Sequence, residues 1–168
     1  MSQLIIGFSK SKKKFPIISW LIRLVQNTEF SHVYLKRNSK YGPYVYQANG
    51  HGVNFTNIQW FLEQNEVTEE FIISVSDEVK DRIMKKAIEL CGRPYSQKDI
   101  IGILLAQWFN IKSNLLADGE YAFICSELVV ELLDSGGIVL KSQWGKTPEL
   151  VTPKDIYQKL KEMYPNAL

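Results

Sequence analysis

The chain holds two thiols and two imidazoles: Cys91, Cys125, His32 and His51. A cysteine nucleophile needs thiolate character and a nearby base that takes its proton and later returns it to the leaving group. Imidazole fills that role near neutral pH. Cys125 lies in YAFICSELVVELL, in the expected first turn of a helix whose apolar partners are Leu128, Val129 and Leu132. The positive end of the helix dipole there is expected to favour thiolate and lower the thiol pKa. A free cysteine is also a small hydrophobe that cores often bury, and composition alone fits Cys125 to that role as well. Cys91 closes the apolar face of another expected helix at its C-terminal end, where the dipole disfavours thiolate, so it reads as a packing residue.

His32 sits in FSHVYL, a stretch of period two. Alternation sends His32 and Tyr34 to one face of a strand and Ser31, Val33 and Leu35 to the other. A catalytic imidazole also needs a third group that holds its tautomer and ring orientation. Gln47, in YVYQANG on the next expected strand, has a carbonyl oxygen that accepts from imidazole but brings no charge to steady imidazolium. His51, in the turn-like NGHGV, competes for the role, and spacing alone does not choose between them.

These residues are carried by a chain whose strand signals come first and whose helix signals follow. Leu4–Phe8, Phe30–Lys36, Tyr44–Ala48, Gly52–Phe55 and Phe71–Val75 read as strands. Pro16 opens an early helix with Ile17, Leu21, Leu24 and Val25 on one side. Ser76 caps a helix running to about Cys91 with Val79, Ile83, Ala87 and Ile88 on its apolar face, and Gly92-Arg93-Pro94 ends it. Asp99–Asn110 is an apolar helix, with burial the expectation and a hydrophobic substrate groove the alternative. Phe123–Asp134 is a helix stopped by Gly136-Gly137, and Thr152 with Pro153 starts the last one. The fold class expected is α+β, a small antiparallel sheet packed by segregated helices. No linker or repeat divides residues 1–168, so one domain is expected.

Composition excludes several function classes. With 45% apolar and 23% charged residues, the chain is neither disordered nor fibrous. A net charge of +2 gives no general basic character, so a nucleic-acid partner is not expected. Two cysteines make neither a disulfide scaffold nor a four-thiolate zinc site, and no CxxC or HxxxH spacing points to a metal. The apolar stretches Ile17–Val25 and Ile100–Phe109 are too short to span a bilayer. The basic cluster follows the first apolar run, the reverse of a secretory signal, so a cytoplasmic location is expected, with a phage or intracellular role. Lys10, Lys12, Lys13 and Lys14 read first as a solvated turn, with contact to anionic lipid or phosphate as the alternative.

The ordered motifs FSHVYL, GPYVYQANGHGV, CGRPYSQKDIIG, YAFICSELVVELL and TPELVTPKDI resemble those of the circularly permuted papain-like cysteine hydrolases of the NlpC superfamily, especially the YiiX-like branch. In that group the histidine precedes the cysteine. The resemblance implies a permuted papain-like fold with Cys125 as nucleophile, His32 as general base and Gln47 as orienting residue. YiiX-like relatives commonly carry a carboxylate at this last position, so Gln47 departs from their pattern. Tyr95 follows as a pocket-wall residue. The implied activity is a hydrolase or acyltransferase acting on an amide, ester or thioester, with cell-wall-type peptides and lipid-linked acyl groups as the substrate classes. No metal or organic cofactor is required. The alternative is a catalytically idle module that keeps the fold and binds an acylated or peptide ligand.

Overall fold

Six successive buried positions, Leu4 to Ser9, identify the first strand as one covered on both faces, as a continuous apolar run requires. In a computed structural model that describes residues 2–13, 16–40, 42–109, 111–114, 116 and 121–165, this strand is β1 (Ser2–Ser11). It pairs with β2 (His32–Ser39) on one side and β5 (Asn65–Val75) on the other. Strands β3 (Gly42–Asn49) and β4 (Gly52–Asn57) extend the sheet beyond β2. The order is β4-β3-β2-β1-β5, all antiparallel, in register Phe8↔Val33, Leu35↔Tyr46 and Gln47↔Asn54.

One face of the sheet buries Leu4, Ile6, Phe8, Val33 and Leu35 under two helices, α3 (Asp77–Leu90) and α5 (Cys125–Gly136). These helices touch closely at Gly136, where a Cβ would come 2.7 Å from Ile83 Cδ1. The opposite face packs Tyr34 and Val45 against Phe61 of the short helix α2 (Ile58–Gln64). Tyr34 lies flat over its register partner Gly7, and a Cβ on that glycine would sit 2.2 Å from the phenol ring. The Tyr34 hydroxyl donates to Glu70 Oε1 at 2.7 Å.

Two further helices, α1 (Ile17–Gln26) and α4 (Gln97–Phe109), pack on each other beside the N-terminal end of α5 through Ile22, Ile100, Ile103 and Ile124. The final helix, α6 (Pro153–Met163), starts as its sequence indicates: Thr152 caps it, accepting from the Asp155 N–H, with Pro153 in the first turn. Gly137 ends α5 in the left-handed conformation at φ +69°, the role of a glycine that follows a helix.

Several local expectations are corrected. The buried face of α3 is Ile83, Ala87 and Leu90; Ile88 points to solvent and Cys91 is an exposed cap residue. Ile83 and Ala87 lie on the buried face as expected, and packing against α5 continues that face through Leu90 and not through Ile88 and Cys91. In α1 the stripe of Ile17, Leu21 and Leu24 turns outward or sits half-exposed, while Ile22 and Gln26 face the protein. Helix α4 is buried on one side only; Ile101, Leu105, Trp108 and Phe109 are exposed. Strand β5 begins at Asn65, six residues before the apolar run, because the polar NEVTEE segment takes the hydrogen-bonding edge of β1. Lys14 lies outside the described residues.

Candidate active site

His32 is the first residue of β2, and its ring lies on the Tyr34–Phe61 side of the sheet, 6.4 Å from each ring centroid. Its Nε2 is 2.8 Å from Gln47 Oε1, across the mouth between β2 and β3. The Gln47 amide nitrogen donates to Thr56 Oγ1 at 3.2 Å, and that hydroxyl donates to Asn54 Oδ1 at 2.6 Å. Asn54 is held in turn by donation to Asn49 Oδ1 at 3.0 Å and to the Gly52 carbonyl at 2.8 Å.

This chain of donors has one self-consistent direction. Because Thr56 takes the Gln47 N–H, the amide oxygen faces His32, so Nε2 carries the imidazole proton and Nδ1 keeps a lone pair. The assignment follows from the network and leaves Nδ1 as the basic nitrogen. His51 does not compete for His32. It is exposed, its backbone N–H donates to Asn49 Oδ1 at 2.9 Å, and its ring lies 6.4 Å from Trp60.

Cys125 is the first residue of α5 and is buried. The β2–β3 ladder ends at Leu35↔Tyr46, and beyond it the Val33 N–H donates to the Cys125 sulfur. The N–H groups of Ser126 and Cys125 itself also reach the sulfur. The thiol therefore abuts the peptide unit that joins His32 to Val33; Cys125 packs with Val33 in the core, while the His32 ring lies on the Tyr34–Phe61 side of the sheet.

Electrostatics at this pair reverses one expectation. Burial pushes the Cys125 thiol up to about 11, although the three N–H groups act to lower it and Glu127 adds to the rise. Desolvation thus outweighs the helix dipole. Burial also pulls His32 down to about 4, against the opposing hydrogen bond that it donates to Gln47. Both shifts favour the uncharged forms at neutral pH, a thiol on Cys125 and a neutral imidazole on His32.

Glu127 was not singled out by its sequence context, yet its carboxylate accepts from the Ile124 N–H at 2.9 Å, closing the first turn on which Cys125 rides. Burial first, then the negative charges of Asp99, Glu149 and Glu131, raise it to about 8. The glutamate three residues past Ile124 was the available signal. An apolar cap residue in place of Ser or Thr hid it.

Tyr95 lines the site as a wall. A parallel bridge ties it to Phe123, with Phe123 N–H donating to Pro94 O at 2.9 Å and Ser96 N–H to Phe123 O at 3.2 Å. Burial raises the Tyr95 hydroxyl above its ordinary pKa, and charge on Cys125, which lines the same cavity, adds to this. The same segment is stitched to the β3–β4 turn: Val53 N–H donates to Arg93 O at 2.9 Å, and Gly52, at φ +88°, leaves no room for a Cβ, which would meet that oxygen at 2.6 Å.

Two hollows share walls here. His32, Gln47 and His51 border an open cleft of about 620 Å³. Cys125 and Ser126 border a small apolar cavity of about 20 Å³ with Ile22, Ile103, Leu104 and Ile124. Ser31, Tyr95, Ile22 and Ile100 line both, so they form the partition between base and nucleophile sides.

Neither the known family models nor the curated proteins contain a match to this chain. Solved structures do. The crystal structure of the metalloprotein YiiX from Escherichia coli O157:H7, a DUF1105 protein, matches at 18% identity and a TM-score of 0.62. The match covers 94% of this chain and 91% of that one. The chain has a YiiX-like fold. YiiX is described as a metalloprotein, but among the described residues here no group of three or more His, Cys, Asp or Glu side chains gathers to hold a metal ion.

Proposed function

We propose that the protein is a cysteine-dependent hydrolase or acyltransferase of permuted papain-like architecture, acting on an ester, thioester or amide through Cys125, His32 and Gln47. The observation that carries this reading is the joint placement of His32 on Gln47 Oε1 at 2.8 Å and of the Cys125 sulfur on the Val33 N–H. One side chain sets the base, and the adjoining backbone seats the nucleophile.

In this mechanism the Cys125 sulfur attacks the acyl carbon as its proton passes to His32 Nδ1. The pair begins neutral, so proton transfer accompanies attack and follows substrate binding. The N–H groups of Cys125 and Ser126, at the start of α5, face the developing oxyanion. Collapse leaves a thioester on Cys125 while His32 hands its proton to the leaving alcohol, thiol or amine. His32 then deprotonates water or another acceptor, which attacks the thioester, and the thiol is regenerated.

The cavity beside Cys125 is apolar, with Ile22, Ile103, Leu104 and Ile124, but at about 20 Å³ it is far smaller than a ligand pocket, so acyl and peptide substrates both enter the test. The test is a panel of short acyl esters, acyl thioesters and small peptides, with mass spectrometry of the protein during turnover. An acyl adduct on Cys125 and loss of turnover by more than about 10³-fold in Cys125→Ala support the reading. Turnover that survives Cys125→Ala overturns it. A second reading, an idle ligand-binding module, draws on the raised thiol and the uncharged Gln47. It predicts ligand binding without an adduct on any substrate of the panel.

A further inference from the structure

Helix α1 is amphipathic with its faces exchanged. Toward the protein it turns Ile22, Gln26 and Ser19, whose hydroxyl is hydrogen-bonded to Ser31 Oγ at 2.6 Å. Toward solvent it turns Ile17, Trp20 and Leu24, which are 69%, 53% and 57% exposed. Helix α4, packed against it, buries Ile100 and Ile103 yet is also apolar on its outer side. Its Asp99, Gly102 and Ala106 are buried, while Trp108 and Phe109 are 72% and 66% exposed and Ile101 and Leu105 point outward with them. Two adjacent helices that each present an apolar stripe to water form a surface larger than scattered exposed side chains account for.

The segment that carries α1 is basic. Residues 1–28 contain five basic residues, Lys10, Lys12, Lys13, Lys14 and Arg23, and no acidic residue. Lys13 borders the same cleft as Ile17 and Ile18, Lys12 is exposed, and Lys10 is paired with Glu66 at 3.1 Å. The sole acidic residue of α4, Asp99, is fully buried. Tryptophans with exposed aliphatic neighbours, bordered by lysines, are the side chains that settle at a lipid–water boundary. Among the described residues no helix is long and apolar enough to cross a membrane, so such a surface lies on a bilayer and does not span it.

We propose that the joined outer faces of α1 and α4 dock on an anionic lipid bilayer, with Trp20, Leu24, Trp108 and Phe109 entering the headgroup–acyl boundary and the lysines around Lys13 meeting lipid phosphates. Docking in this orientation sets the cleft bordered by Lys13, Ile17 and Ile18 against the membrane. This proposal stands on the surface alone, and vesicle binding is read without any reaction at Cys125.

The test is flotation of the full chain with vesicles of phosphatidylcholine alone and of phosphatidylcholine with one-third phosphatidylglycerol. The expected result is capture by the anionic vesicles that falls by about tenfold or more in Trp20→Glu/Trp108→Glu. It should also weaken in Lys12→Glu/Lys13→Glu and at high salt. Ile88→Glu, which changes an equally exposed apolar residue on α3, should leave capture intact and reports that added charge alone is not the cause. Circular dichroism confirms that each variant is folded. No capture by either vesicle, or capture unchanged by the tryptophan pair, overturns the proposal. So does a dimer in light scattering that the same pair dissociates, because a second copy would then cover the face.

Discussion

Gln47 holds His32 by its oxygen, at 2.8 Å from Nε2, because Thr56 has already taken its nitrogen. The imidazole tautomer is thus decided two strands away, on β4. A base prepared in this way has Nδ1 free for a proton at neutral pH, and the uncharged amide gives no reason for it to become imidazolium before substrate arrives.

Replacing that amide by a carboxylate should change when the base charges. In Gln47→Glu a negative charge beside His32 raises its pKa from about 4, so imidazolium forms at higher pH. NMR of the imidazole C–H signals should show a midpoint at least ~1 unit higher, with the acidic limb of the activity profile moving the same way. Thr56→Val, which frees the amide to rotate, should lower kcat by about tenfold with KM nearly unchanged. An unmoved His32 titration in Gln47→Glu would refute the arrangement.

The two thiols should separate sharply toward alkylation. Cys91 is exposed, whereas Cys125 is buried with its thiol held up at about 11. At pH 7.5, iodoacetamide should modify Cys91 first and Cys125 on the order of 10²-fold more slowly, as read by peptide mass spectrometry. The Cys125 rate should climb with pH toward 11, and unfolding in urea should abolish the difference. Faster labelling of Cys125 in the free protein would show that a preformed thiolate exists.

Folding stability carries the mark of Glu127. Its pKa in the folded protein is about 8 against an ordinary 4.5, so between those values the folded state keeps a proton that the unfolded chain has lost. Stability from this group therefore falls as pH rises from about 4.5 to 8. His32 acts in the opposite sense: with a folded value near 4 against 6.5, it removes stability as pH falls through that interval. Glu127→Gln keeps an acceptor for the Ile124 N–H and cannot ionise. Its Tm should exceed that of the parent by about 3 °C at pH 8 and by much less at pH 5. An equal change at both pH values would remove the carboxylate from this account.

Much of the site was legible from local patterning, and the gaps have physical causes. Cys125 at the head of a helix, His32 at the head of a strand and Gln47 one strand away are all readable, because period two, period 3.6 and cap residues are local properties. Thr56 and Asn54 escaped notice because their importance lies in the register Gln47↔Asn54, which places them beside the amide. The direction of the Cys125 pKa shift was also out of reach. The helix dipole is visible in a sequence, but the burial that overrides it depends on what Val33, Tyr95 and the α1–α4 pair bring from elsewhere.

The amino-acid order by itself determined the five strands and every long helix but not the short α2, the start of α6, and which residue types could supply nucleophile, base and orienting group. Tertiary structure alone decided that Leu90 and not Ile88 completes the buried face of α3, that α1 and α4 turn apolar residues outward, and that burial favours the uncharged thiol and imidazole. The reason is that hydrophobic period sets a helix's faces without saying which one meets the core. Likewise a side chain's type sets its ordinary pKa, while the shift comes from desolvation by neighbours distant in the chain.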